Sequence, residues 1–107
     1  MKTTEREKRL QEAGFTTTTV KDFLDLTDED MEYIEMKVRL SRYLKAHRTS
    51  TLKVSQVRFA EMIGSSQSRV AKMEAGDPSV SIDLLLRCLL YLGASAKQVA
   101  RAIASAA

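Results

Sequence analysis

The segment from Ser55 to Gly76, SQVRFAEMIGSSQSRVAKMEAG, constrains the fold more than any other part of the chain. Ser55 stands where an N-cap hydroxyl accepts an orphan backbone N–H, and the run after it places Phe59, Ala60 and Ile63 on one side of a helix reaching Met62 or Ile63. Gly64 then fits a chain that must turn with φ > 0. Ser65 or Ser66 caps a second helix over Gln67 to Ala75, with Val70 and Met73 inward, until Gly76 and Pro78 break it. The small residue Ala60 sits where the two helices must approach. The spacing therefore predicts two short capped helices joined by a tight turn.

Helical spacing also dominates the rest of the chain. Thr27, followed by Asp30, resembles a capping box and opens a long helix with Asp28, Glu29 and Asp30 in its first turn and Lys45 and Arg48 near its end, the arrangement a helix dipole favours. Tyr33, Met36, Leu40, Leu44 and His47 fall three and four apart along it and predict one buried stripe. Thr49 to Val54 is expected as a loop. Ser81 starts SIDLLLRCLLYL, apolar nearly all round and stopped by Gly93, the expected centre of the core. The tail SAKQVARAIASAA keeps Val99 and Ile103 four apart among many alanines, a helix that can pack closely against another. Ahead of all this, Lys2 to Ala13 reads as a frayed helix ending at Gly14, and Thr19 with Asp22 as a second box opening a short turn with Val20, Phe23 and Leu24. Phe15 to Val20 is the one β-like segment, too short and isolated to build a sheet. An all-α fold follows.

Composition closes off several classes of function. With 107 residues the chain makes one domain, or one domain plus an appendage, which excludes a multi-domain enzyme. Its longest apolar run, Cys88 to Leu92, falls far short of the roughly 20 residues of a membrane span, and MKTTEREKRLQEAG lacks the apolar block of a secretory signal. The chain is expected in the cytoplasm. One cysteine and one histidine make neither an internal disulfide nor, by themselves, a zinc site. Cys88, His47 and the methionines at 31, 36, 62 and 73 read as packed residues. Gly14, Gly64, Gly76 and Gly93 form no phosphate-binding loop, and no nucleophile and base stand at sensible spacing, so neither an enzyme nor a cofactor is expected.

Charge is separated along the chain. From Lys37 to Lys72 nine basic side chains face a single acid, Glu61, whereas from Thr19 to Glu35 seven acids face only Lys21. The middle suits an anion such as nucleic acid, and the front suits a basic protein.

Two short capped helices across a glycine turn form the helix-turn-helix geometry, whose second helix can enter a major groove about 12 Å wide. From Leu44 to Gly93 the chain resembles the Xre/Cro family of phage-type repressors, through Ser55-Gln56, Phe59-Ala60, Ile63-Gly64, the Gln67-containing helix, Met73-Glu74-Ala75-Gly76 and Ser81-Ile82-Asp83. The resemblance implies a compact five-helix domain that binds duplex DNA. Thr49 to Val54 and Asp77 to Val80 each run about one residue longer than the usual pattern, and His47 replaces an aliphatic residue. The domain is expected over 30–94, with an N-terminal extension over 1–29 and a C-terminal helix over 95–107.

Chemistry suggests roles for these residues, and the family places them. The Gln67 amide can pair with adenine N7 and N6, Lys72 can reach guanine acceptors or a phosphate, and Ser68 is short enough to let the helix approach the bases. Gln56, Arg58, Ser66 and Arg69 are the expected phosphate contacts, although Arg69 could equally pair with Asp77 or another acid. Glu74 reads as a structural partner of Arg58 or of the helix end. A homodimer is expected, through the tail around Val99 and Ile103 first and the extension second. Small repressors with such an extension resemble the antitoxins of Hig-type pairs, which implies autorepression and a basic RelE-like toxin as partner, met here by Phe23, Leu24, Asp25 and Asp28. A stand-alone regulator and a protein-binding adaptor without DNA remain the other readings.

Overall fold

The computed structural model describes residues 22–105, and these divide between Tyr33 and Ile34 into two units. The expectations for Lys2 to Ala13, for Phe15 to Val20 and for Thr19 as a cap lie outside the described residues. Helix α1 spans Asp28–Ala46 and continues as a π-helical turn over His47–Leu52; α2 is Gln56–Met62, α3 Gln67–Ala75, α4 Ile82–Tyr91 and α5 Ala96–Ala104. No strand occurs among the described residues, and the fold is all-α as expected.

Local chemistry sets the helix ends. Thr27 and Asp30 form a reciprocal box, Asp30 N–H donating to Thr27 Oγ1 at 3.1 Å and Thr27 N–H to the Asp30 carboxylate at 3.0 Å. These bonds hold the Asp30 carboxyl below the usual carboxylate range. Ser55, Ser66 and Ser81 cap α2, α3 and α4 through the N–H groups of Arg58, Arg69 and Leu84. Ser95 caps α5 in a full box with Gln98, a pairing the sequence reading missed although its Ser-x-x-Gln spacing is the usual signal. Gly64 and Gly76 adopt φ of +66° and +69°, as the two turns require.

In the unit from Ile34 onward, Leu40, Leu44, Phe59, Val70, Met73, Leu85 and Leu89 form the centre of the core, each at most 1% exposed. Three expectations need correction. Tyr33 is not part of a buried stripe but is half exposed; the buried positions of α1 are Lys37, Leu40, Ser41 and Leu44, followed by Arg48. The stripe is rotated because Lys37 and Arg48 find acceptors on distant segments, which apolar spacing does not reveal, while the small Ser41 is buried with its hydroxyl unpartnered among the described residues. The expected loop from Thr49 is instead helical through Leu52, since the extra residue is taken up in a wider π turn that ends at Lys53 in the left-handed region. Helix α4 is not enclosed all round: Leu85, Cys88 and Leu89 are buried, while Leu90 and Tyr91 are exposed.

Helix α5 packs back on the same core. Val99 and Ala102 are buried and Ile103 lies against them, so the apolar anchors expected to hold a second chain are already covered within the first.

Candidate nucleic-acid interface

The geometry starts from the pair α2 and α3. Phe59 and Ala60 on α2 and Val70 and Met73 on α3 are buried, and the Ala60 carbonyl accepts the Ser65 N–H at 2.8 Å, closing the turn around Gly64. With Val70 and Met73 fixed inward, helical periodicity turns Gln67, Ser68 and Lys72 outward, and all three are exposed. Ser68 and Lys72, four apart, share a face, with Gln67 at its leading edge.

Beside that face lies a polar notch of about 410 Å³ lined by Ser66, Ser68, Arg69, Lys72, Ser79 and Val80. It brings together four of the expected contact residues and adds Ser79, which the sequence reading passed over. Asp77, the acid named as a possible partner of Arg69, does not pair with it. Its Oδ1 accepts from the N–H and hydroxyl of Ser79 at 2.8 and 2.6 Å, and these bonds, with Lys72 and Lys37 contributing, hold its carboxyl below the usual range. Arg69 makes no ion pair with another described residue, which leaves its guanidinium available to an outside anion.

Two other expected phosphate contacts are placed differently. Arg58 is exposed and pairs with Glu61 at 3.1 Å, a surface pair of small energy that an incoming phosphate can replace. Gln56 is half buried, and its Nε2 donates to Glu74 Oε1 at 3.2 Å, so this side chain braces the interior as it stands. Glu74 does not meet Arg58. Its carboxylate receives Arg48 Nε at 2.6 Å and the terminal nitrogen Nη2 at 3.0 Å, while Nη1 donates to the Val54 carbonyl at 2.9 Å. The Arg48 guanidinium is stabilised in its charged form by that carboxylate. The one signal for this partner was the four-residue step from Leu40 through Leu44 to Arg48, which puts the arginine in line with the core.

The two acids near this face, Glu74 and Asp77, are therefore tied up within the fold, and the outward side of α3 presents amide, hydroxyl and cationic groups. Such a set suits base edges and phosphates.

The four residues expected to meet a protein partner lie in the other unit. Phe23 is 86% exposed and Leu24 52%, with Asp25 and Asp28 exposed beside them. Asp25 adopts a φ of 53°, and its N–H donates to the Asp22 carbonyl at 3.2 Å.

His47 is half buried with its ring 6.2 Å from that of Tyr43, and Cys88 is buried, which raises its thiol to about 11. Among the described residues no group of three or more His, Cys, Asp and Glu could hold a metal ion, and no helix is long and apolar enough to cross a membrane. No curated protein and no solved structure matches the chain. Residues 44–99, just over half of the chain, match the family model described as helix-turn-helix. That match spans the capped pair, its turn and the outward face of α3, and the chain accordingly belongs to the Xre/Cro-type helix-turn-helix family of DNA-binding transcriptional regulators.

Proposed function

We propose that the protein is a sequence-specific repressor that reads duplex DNA with Gln67, Ser68 and Lys72 and is held in register on phosphates by Ser66, Arg69 and Arg58. The observation that carries this reading is the outward face of α3, clear of unpaired acids and flanked by the notch with Arg69. Gln56 contributes from behind, by holding Glu74. One such unit spans only a few base pairs, so the reading includes a homodimer on two half-sites about 34–36 Å apart.

Binding to duplexes selected from a random pool tests it. Gln67→Ala should cost about 1–3 kcal/mol on the selected site and relax preference at one base pair. Arg69→Ala should weaken every sequence alike and reduce the salt slope by about one. Equal losses on all sequences for Gln67→Ala would remove it from the base readers.

The exposed Phe23 and Leu24 among carboxylates favour a second role, as the antitoxin of a toxin–antitoxin pair. Apolar anchors ringed by acids suit a cationic protein, the charges governing approach and the apolar groups dissociation. A chain beginning near Glu32 should then bind DNA yet fail to protect cells from a basic RelE-like product of the neighbouring gene, and full protection would place the partner site elsewhere.

A further inference from the structure

Helix α1 extends upstream of the matched residues 44–99, and its Lys37 is an unusual core residue. It is 9% exposed, and its Nζ donates at 2.9 Å to the Asp77 carbonyl, just past the Gly76 cap of α3. Burying an amine is costly unless it is hydrogen-bonded, so this position uses the nitrogen rather than merely tolerating it. The carbonyl it meets belongs to the end of the reading helix: the Asp77 N–H donates to the Lys72 carbonyl at 3.1 Å, and the negative end of the helix dipole favours a cation there. The contact is close on the backbone side too. A Cβ on Gly76 would stand 3.7 Å from Val38 and 3.8 Å from the Ser41 hydroxyl, so the cap is seated directly on α1.

We infer that Lys37 is a positioning residue for DNA reading, fixing the C-terminal end of α3 against α1 without touching DNA itself. Arg48 holds α3 at Glu74 and Lys37 holds it at Asp77, and two ties near one end resist rotation of α3 about its own axis. Such rotation would carry Gln67, Ser68 and Lys72 off the base edges, where working geometry tolerates only about 0.5 Å. A phosphate would meet α3 whatever its small rotations, so the tie bears on sequence discrimination more than on overall affinity. Arg39 makes a comparable contact elsewhere, its Nη1 donating at 3.1 Å to the Ile103 carbonyl in the last turn of α5 while Nη2 pairs with Glu35 at 3.4 Å, and it provides a control that loosens α1 away from α3.

The inference rests on the proposed reading through α3, and the test separates the two. Full-length wild type, Lys37→Met and Arg39→Met are titrated against a selected duplex and a scrambled one over a series of salt concentrations, with melting curves run alongside. Lys37→Met should lower the ratio of selected to scrambled affinity by about tenfold and leave the salt slope unchanged. Arg39→Met should lower the melting temperature and leave the ratio alone. An unchanged ratio in Lys37→Met overturns the inference, as does a salt slope reduced by about one, which would make Lys37 a phosphate contact. An equal fall in the ratio for Arg39→Met overturns it as well, since general loosening would then account for both. A wild-type chain with no preference for any duplex would instead overturn the α3 reading, and this inference with it.

Discussion

Replacing Arg48 by methionine strips Glu74 of the fork that neutralises it. The two side chains are 10% and 4% exposed, so the carboxylate left behind is not rehydrated, and Gln56 Nε2 remains as its one described side-chain donor. All three guanidinium nitrogens are engaged, two with Glu74 and one with the Val54 carbonyl, and all three bonds go at once. Leaving one partner of a buried pair uncompensated costs about 3–5 kcal/mol, a large share of the roughly 5–15 kcal/mol that holds a small domain together. At about 4–8 °C per kcal/mol for a domain of this size, the melting temperature should fall by about 12 °C or more. Thermal and urea unfolding followed by circular dichroism measure it. The double variant Arg48→Met with Glu74→Leu removes both desolvation costs and should recover most of the loss. A fall below about 1 kcal/mol in the single variant, or a double variant no more stable than the single, would refute the claim that burial makes this pair matter.

Gly64 sits at φ +66° with no atom within 4 Å of a Cβ built on it, so Gly64→Ala should destabilise through backbone strain alone, by about 1–2 kcal/mol, with Gly64→Asn milder; equal melting temperatures for all three chains would contradict this. The Cys88 thiol, raised from 9.0 to about 11 by burial, should react with a disulfide reagent at pH 8 roughly a hundredfold more slowly in the folded than in the unfolded chain, from ionisation alone. Because the folded thiol holds its proton more tightly, the associated stability is full below pH 9 and is lost as pH rises from 9.0 towards about 11. A Cys88→Ala chain should lack that part of the alkaline decline in a pH series of melts.

What the sequence disclosed and what it withheld divide along a physical line. Ser55, Ser66, Ser81, Gly64 and Gly76 could be placed from the chain alone because a cap or a left-handed turn is decided within about four residues. The outward face of α3 followed from the same local reasoning once Val70 and Met73 were set inward. Lys37 and Arg48 escaped, since a basic side chain enters a core only where a distant segment brings an acceptor, and nothing near Lys37 in sequence announces the Asp77 carbonyl. Glu74 reads as structural from the sequence, with Arg58 or the helix end as its partner, because sequence distance ranks both above an arginine 26 residues away. The exposure of Leu90 and Tyr91 was hidden for the converse reason: a helix apolar on every side does not say how many neighbours it has.

The π turn at His47–Leu52 stores one residue more than an α-helical path would use, and it does so where Thr49, Ser50 and Thr51 face solvent. It acts as a length buffer between the long helix and the helix-turn-helix pair. Removing one of those three exposed residues would let the turn relax to α-helical pitch and release Lys53 from its left-handed φ of 55°, with Leu44 and Phe59 still in the core. Arg48 lies inside the buffer, however, and holds Glu74 from there through Nε and Nη2. A change in chain length at this place would therefore be felt first at α3, through the Arg48–Glu74 pair, so the tolerance of this turn to insertions is bounded by the helix it holds rather than by the turn itself.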